Sequence, residues 1–496
     1  MMRYLGRFAL AAGALLLAVP ARAEPDLGPP VLTVTGLPGR RLAIATPPAP
    51  RGRPRANVSP TIFLERCVGG CALHMGNNDA RAQSSMLLLI PNATVTEFAS
   101  REGLTGAAAD AEWRAVVQCV KEVYSPYDVV VTDEAPASGI GYHEAIIAGQ
   151  PSDVGRTADT LGVAPLANDC GAIDNVISIS FANAHGSTSV AERVLNICWT
   201  AAQESAHAFG LDHEYAFVAD DRSACSDPMT YRSDCGGQKF FRNEAASCGE
   251  NVKRACRCTA TQNSHAKLLS VFGAGTPITR PPDVELVTPG ASDATLGASV
   301  VTRAGAQRGV ARVELRINGN MWGELPGAPF QLAGQPDPST YVIPVPAGLP
   351  DSIIDVQTVA LDDLGATTAS DVVTLTRGAP CSTAASCATG QRCEAGRCFW
   401  DPPTRELGDR CDYAQLCKSE LCEGAAGEEV CTQVCAPGAV DTCPAAFECV
   451  QASASAGVCL PVASAGCCRV ERGDPGWLTL GIGAVVLAFA IRKRRR

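Results

Sequence analysis

The order of apolar and polar positions predicts alternating strands and helices between residues 58 and 275. Apolar side chains run together over 86–90 and 127–132, as in buried strands, whereas 107–124 carries them at helical spacing. Short apolar runs over 145–148 and 176–181 predict two further strands. Residues 58–275 are therefore expected to form a domain that combines helices with strands.

A second helix is predicted after Ser189. Ser189 and Glu192 have the spacing of a capping box, and an apolar face follows it, formed by Val194, Leu195, Cys198, Ala202 and Ala206. Gly210 is expected to end this helix, because a residue without Cβ tolerates the sharp turn.

The pattern changes after Gly275. Residues 281–377 lack cysteine and alternate apolar with polar positions, as at Val313, Leu315 and Ile317, which precede the hairpin dipeptide Asn318-Gly319. A second alternating run covers 354–361, and a last strand is expected near 372–375. This stretch resembles a bacterial immunoglobulin-like β-sandwich, a type of module that usually spaces or binds.

Cysteine usage indicates an oxidising compartment. Of 24 cysteines, ten lie between Cys67 and Cys258, twelve between Cys381 and Cys459, and two in the C-terminal tail. Even numbers in each region favour disulfides. Residues 381–459 repeat their cysteine spacing and predict tandem small disulfide modules, for which a protease-resistant stalk is favoured over a receptor-binding role.

The start of the chain predicts export. Residues 1–23 have an arginine-bearing start, an apolar run and Ala21-Arg22-Ala23, which together indicate a secretory signal peptide cleaved after Ala23. Residues 24–57 are rich in proline and arginine, without apolar periodicity, and are interpreted as a linker or short propeptide.

The far end of the chain predicts an anchor. Residues 466–496 contain Gly466-Cys467-Cys468, an apolar helix over 477–491 and five basic residues. This pattern resembles the myxobacterial C-terminal sorting tail, which implies processing beside the cysteines and association with the membrane or cell envelope. A plain single-span anchor is the alternative. Both place residues 24–465 outside the cytoplasm, either at the cell surface or secreted after processing.

The net charge of −10 argues against nucleic acid as a partner, because phosphates require a basic face.

Residues 202–214, AQESAHAFGLDHE, contain the candidate chemistry. Gln203 and His207 are four apart and share a helix face, so both can address one metal ion. Glu204 can reach a metal-bound water without being a ligand, which is the position of a general base. The turn at Gly210 brings His213 back towards the same point.

This stretch resembles the zinc-binding helix of the metzincin metallopeptidases, HExxHxxGxxH, at every position except Gln203. Met229 stands where these enzymes have their Met-turn, and Tyr231 follows two residues later. The resemblance covers about residues 58–275 and implies an α+β metzincin-like domain with zinc as cofactor. It assigns Gln203, His207 and His213 to the metal, Glu204 and Tyr231 to catalysis, and Met229 to the floor of the site. It also implies that the strand at 176–181 lies near the cleft and pairs with extended substrate.

Gln203 is the departure that matters, because a carboxamide oxygen is a poorer zinc ligand than imidazole. Three interpretations stay open at this point. Gln203 acts as a weak ligand; another group completes the site, with His185 the best-placed substitute; or the domain keeps the fold without the metal.

The predicted function is that of a secreted, surface-anchored zinc endopeptidase. It would hydrolyse protein or peptide substrates through a metal-bound water activated by Glu204. The alternative is a catalytically inactive metzincin-like scaffold that serves as a surface adhesion or binding protein, with cell-surface partners reached through the immunoglobulin-like and cysteine-rich modules.

Overall fold

A computed structural model describes residues 40–46, 58–215, 226–232, 237–293, 295–327, 338–425, 427–435, 443–451 and 457–462. They form a multidomain chain with many β-sheets, few helices and several disulfide-rich regions. The predicted signal peptide and sorting tail lie outside these residues. Within the described ranges, no helix combines the length and apolar character needed to cross a membrane.

The chain divides into two compact units. The first contains residues 1–317, 322–346 and 355–374, and the second contains residues 318–321, 347–354 and 375–496.

The first unit begins with an α+β part built on a six-stranded sheet. Its α-helices are α1 (Asp110–Tyr124), α2 (Val190–Ala208) and α3 (Ser264–Phe272). Its strands are β1 (Arg40–Thr46), β2 (Thr61–Glu65), β3 (Cys71–Met75), β4 (Ser84–Ser85), β5 (Asn92–Val95), β6 (Val130–Thr132), β7 (His143–Ile147), β8 (Thr160–Ala167) and β9 (Ile177–Ser180).

The large sheet has the strand order β1-β8-β9-β7-β2-β6. All its pairs are parallel except β8 with β9. Every residue of β7, β8 and β9 is buried, as expected for mainly parallel strands covered on both faces. A small second sheet has the order β4-β3-β5.

Two strand predictions are corrected. The run at 86–90 is not a strand, because its backbone bonds to a neighbouring loop instead of a ladder: Leu89 N donates to Val154 O at 3.0 Å, and Arg156 Nη2 donates to Leu87 O at 2.7 Å. The run at 176–181 is a strand, but β9 is paired on both sides and has no edge for substrate. The edge next to the site is formed by β8, and β1 covers it.

Strand β1 lies within the proline- and arginine-rich segment, where the sequence has no apolar period. It runs parallel to β8, with Arg41 paired to Gly162 and Thr46 to Ala167. Ladder hydrogen bonds to β8 therefore hold a segment that its own composition does not predict to be ordered.

Helices α1 and α2 pack together and are joined by a disulfide between Cys119 and Cys198. The predicted cap of α2 is half formed, because the Ser189 side chain accepts from Glu192 N at 3.1 Å while the Glu192 carboxylate binds Thr188 and Ser187. Arg193 is buried and pairs with the buried Glu112 of α1. Arg193 Nη2 also donates to the carbonyls of Ala99 at 3.0 Å and Ala182 at 2.7 Å.

The β-rich part that follows has two sheets. Its strands are β10 (Asp283–Thr288), β11 (Ser299–Gly305), β12 (Arg312–Ile317), β13 (Asn320–Pro326), β14 (Ser339–Pro344), β15 (Ser352–Leu361), β16 (Thr367–Ala369) and β17 (Val373–Arg377). One sheet has the order β10-β11-β14, and the other has the order β13-β12-β15-β16 with β17 also on β15. Asn318 and Gly319 both have positive φ between β12 and β13, so the predicted hairpin turn is confirmed.

The second unit contains three four-cysteine modules. Their strands are β18 (Gln391–Glu394), β19 (Arg397–Trp400), β20 (Cys422–Glu423), β21 (Val430–Cys431), β22 (Val434–Cys435), β23 (Phe447–Gln451) and β24 (Gly457–Pro461). Each module joins its first cysteine to its third and its second to its fourth. The predicted tandem disulfides are confirmed, and their connectivity, which spacing leaves open, is one repeated pattern.

The ion pair between α1 and α2 generates a stability prediction. Glu112→Ala leaves the Arg193 guanidinium buried without its carboxylate, so the free energy of unfolding should fall by about 3–5 kcal/mol. Urea unfolding followed by circular dichroism measures this loss. Glu134→Ala, at an exposed position, is the control and should change stability by less than about 0.5 kcal/mol. Equal stability of the two variants would contradict the role given to the pair.

Candidate metal centre

The candidate ligands lie at the end of α2. Gln203, Glu204 and His207 are completely buried. Gly210 follows the helix with a φ of +91°, and a Cβ there would clash with the Cys170 carbonyl. The predicted helix end is therefore confirmed, and only glycine fits the turn that leads to His213.

The structure brings His207 and His213 into direct contact. Their Nε2 atoms are 3.0 Å apart and their rings are perpendicular, with centroids 4.5 Å apart. The outer nitrogens are both engaged: His207 Nδ1 lies 2.7 Å from the Leu211 carbonyl, and His213 Nδ1 lies 2.9 Å from Glu250 Oε1.

These outer contacts assign the tautomers. A carbonyl oxygen only accepts, so His207 Nδ1 carries its hydrogen. The pKa of Glu250 is held well below its usual range, first by its bond to His213 and then by Arg254, so this group is an ionised acceptor and His213 Nδ1 also carries a hydrogen. In the neutral rings both Nε2 atoms then present lone pairs to each other.

Two lone pairs 3.0 Å apart repel unless a cation lies against both. Burial, and after it the neighbouring His213, lower the pKa of His207 to about 3, so His207 is neutral and offers a lone pair at neutral pH. Two imidazoles bound tetrahedrally to one zinc ion would have nitrogens roughly 3.4 Å apart. The pair therefore fits a divalent ion after a small separation of the rings.

Gln203 and Glu204 precede His207 on the same helix, and both side chains are completely buried. No described residue forms a hydrogen bond with either amide atom of Gln203 or either carboxylate oxygen of Glu204. Buried polar atoms left without partners cost about 1–3 kcal/mol each, so such a cluster indicates a site that binds a further group. Burial raises the pKa of Glu204 well above its usual value, and Arg41 and Arg156 oppose this shift.

Gly162 of β8 lies directly against the Glu204 carboxylate. A Cβ at position 162 would clash with Oε1, Cγ and Cδ of Glu204. The Glu204 carboxylate therefore fits at this position only because Gly162 has no side chain.

The segment around Met229 lies next to the second histidine. Met229 is completely buried, its N–H donates to Asp227 Oδ1 at 2.8 Å, and its carbonyl accepts from Glu214 N at 2.9 Å. Because Glu214 directly follows His213, this backbone bond ties the predicted Met-turn to the candidate ligand.

Tyr231 reaches the same place, with its ring centroid 4.8 Å from that of His213. Its pKa is raised, mainly by burial and then by the charge of Glu204. The Tyr231 hydroxyl donates to the Arg41 carbonyl and accepts from Arg41 N at 3.1 Å. The backbone of β1 thus occupies the hydroxyl that the family resemblance assigns to catalysis.

His185, the substitute ligand, is buried but stays apart from the pair. Its Nε2 has no partner among the described residues, and no hydrogen bond or ring contact there links it to His207 or His213. Its pKa is lowered well below the usual value, mainly by burial and then by Arg41 and Arg193.

Glu250, Asp212 and Arg254 support the site and were not predicted. Ligand atoms of Asp212, His213 and Glu250 lie within 4.8 Å of one another, a spacing that could itself hold a metal ion. However, Arg254 already neutralises both carboxylates, at 2.6 Å from Asp212 and 2.9 Å from Glu250. We therefore interpret the cluster as support for His213. The similar cysteine groups are disulfide-bonded and offer no thiolate.

Comparison with known proteins gives little guidance. No protein-family model and no curated protein matches the sequence. Among solved structures, the fibronectin(III)-like modules of Clostridium thermocellum CbhA are 19% identical, over 19% of this chain and 96% of that chain, with a TM-score of 0.14. Catalytically inactive OgpA from Akkermansia muciniphila, solved with an O-glycopeptide substrate, is 7% identical over 67% of this chain and 94% of that chain, with a TM-score of 0.16. Scores this low support no conclusion about fold or function.

The contact between His213 and Glu250 generates a prediction about metal affinity. Glu250→Ala removes the acceptor that orients the His213 ring and fixes its tautomer, so the dissociation constant for zinc should rise by about 10- to 100-fold. Competition with a chromogenic chelator measures it. Glu244→Ala, exposed and nearby in sequence, is the control and should bind as wild type does. Equal affinity of the two variants would show that Glu250 does not orient a ligand.

Proposed function

We propose that this protein is a zinc-dependent endopeptidase acting on protein or peptide substrates. The observation that supports it most is the pair of facing His207 and His213 Nε2 atoms, with a buried, unpartnered carboxylate on Glu204, three residues before His207 on the same helix. A metal site beside a carboxylate is the arrangement that hydrolysis of an amide bond requires.

His207 and His213 would hold the metal through Nε2, and Gln203 Oε1 would be a weaker third ligand one helical turn earlier. A zinc ion at this position would supply Lewis-acid polarisation of the scissile carbonyl and lower the pKa of a water molecule. The neutral amide of Gln203 leaves more positive charge on the ion than an anionic ligand would.

Glu204 would act as the general base and then as the general acid. Its burial raises its pKa, so it is suited to take a proton and return it to the leaving amine. Gly162 makes room for the carboxylate, and Arg41 and Arg156 stabilise its charged form.

Tyr231 would donate a hydrogen bond to the oxyanion that develops on the substrate carbonyl. Burial and Glu204 keep its hydroxyl protonated at neutral pH, as a donor must be. Because Arg41 now binds this hydroxyl, a productive substrate has to displace β1.

The proposal includes an exported, surface-anchored protein. Ten disulfides occur among the described residues, which supports an oxidising compartment. The signal peptide and the tail that would attach the protein to the envelope stay predictions from sequence.

A second candidate is an inactive scaffold used for surface binding. Two observations favour it: Gln203 replaces the best zinc ligand, and β1 fills the cleft. An assay of protein hydrolysis separates the peptidase from the inactive scaffold.

Hydrolysis of an unfolded protein by the oxidised chain 24–465 with added zinc tests the endopeptidase. Wild-type and Arg41→Ala proteins are both assayed, since Arg41 occupies the cleft. Glu204→Ala should lower the rate at least about 100-fold while zinc affinity is retained, because this residue moves protons and is not a ligand. Gly162→Ala should produce a similar loss by displacing the same carboxylate.

Gly186→Ala is the matched control for the glycine change, since a Cβ there meets nothing within 4 Å. Comparable cleavage by Glu204→Ala would refute the assigned role. Absence of cleavage from folded, zinc-loaded wild-type and Arg41→Ala proteins alike would contradict the peptidase and favour the scaffold.

A further inference from the structure

Arg41 places a positive charge inside the cleft. Its side chain is completely buried, and its guanidinium lies 3.8 Å from the centre of the Trp199 ring. Its Nε donates to Thr200 Oγ1 at 3.0 Å. Both partners are on α2, within one helical turn of Gln203. Nη1 and Nη2 have no hydrogen-bond partner among the described residues.

The surroundings of Arg41 are those that recognise a guanidinium. The negative face of an indole ring attracts a planar cation, and the attraction is stronger when the cation is desolvated. The Thr200 hydroxyl accepts from Nε, a donor that lysine lacks. Burial lowers the pKa of Arg41 to about 10, opposed by Tyr231 and Glu204, so the side chain remains charged at neutral pH.

Strand β1 places this side chain as an extended peptide would. It adds to the edge of the sheet along β8, with Arg41 opposite Gly162, the residue that lies against Glu204. Its backbone at Arg41 binds the Tyr231 hydroxyl. In strand addition the backbone bonds provide affinity, and pockets for individual side chains provide specificity.

We propose that Trp199 and Thr200 form an arginine subsite, which takes the guanidinium of an extended peptide, and that Arg41 on strand Arg40–Thr46 is its displaceable internal occupant. The subsite deepens the proposed function, because it names arginine-containing peptides as the substrate class. Lysine should bind less well, since it lacks both the planar group and the Nε donor.

Peptide binding tests the subsite without any need for catalysis. The probe is the fluorescein-labelled heptapeptide RRLAIAT, the sequence of β1, and the matched control has citrulline in place of its second arginine. Citrulline has nearly the same shape but no charge. Fluorescence anisotropy is measured with metal-free chain 24–465 as wild type, as Arg41→Ala and as the double variant Arg41→Ala, Thr200→Val.

The Arg41→Ala protein should bind the arginine peptide at least tenfold more tightly than wild type does, because its own strand no longer fills the pocket. It should bind the citrulline peptide at least tenfold more weakly than the arginine peptide. The added Thr200→Val change should reduce this preference. Equal binding of the two peptides, or binding of neither, would overturn the proposal.

A second design serves if Arg41→Ala fails to fold. A unique protease sequence replaces residues 52–55 of the otherwise wild-type chain, and cleavage leaves the segment that contains β1 attached only by non-covalent contacts. The arginine peptide should displace that segment at a concentration at least tenfold below that of the citrulline peptide. Equal displacement would again overturn the proposal. Because neither design uses zinc or hydrolysis, an inactive but arginine-selective protein would refute the peptidase and leave the subsite intact.

Discussion

The site depends on one electrostatic constraint, the contact between the Nε2 atoms of His207 and His213 at 3.0 Å. Each ring is fixed by an acceptor on its outer nitrogen, Leu211 O for one and Glu250 for the other. Burial keeps His207 neutral, and two neutral imidazoles held in this way turn their Nε2 lone pairs towards each other, which produces a repulsion. A divalent cation relieves it, so the geometry that is unfavourable without metal is suited to binding one.

The large sheet arranges the rest of the cleft around that pair. Gly162 on β8 leaves space for the Glu204 carboxylate, and the same strand pairs with β1. The edge that an extended substrate would use is consequently the edge that residues 40–46 cover. Arg41 contacts Tyr231, Trp199 and Thr200 together, so in the proposed peptidase it would couple substrate access to proton transfer and side-chain recognition.

Local patterns in the sequence were sufficient for the parts of the site that follow from helix geometry. The spacing of Gln203, His207 and Gly210 predicted one helix that ends in a glycine turn, and α2 has that form. Contacts between residues far apart in the sequence could not be predicted from local patterns. Nothing local marks Glu250 as the partner of His213, Gly162 as the neighbour of Glu204, or residues 40–46 as a strand, because each depends on a residue at least 37 positions away. The apolar run at 86–90 predicted a strand that is not present, because Leu87 and Leu88 are buried outside any strand.

The most direct test of the proposed zinc site is X-ray absorption at the zinc edge, measured on chain 24–465 after purification and dialysis against one equivalent of zinc. We expect one bound zinc ion with two imidazole nitrogens at about 2.0–2.1 Å and oxygen ligands in its remaining positions. Gln203→His should add a third imidazole, whereas His207→Ala and His213→Ala should each remove one. Zinc that is not retained, or a ligand set unchanged in all three variants, would show that these histidines do not form a metal site.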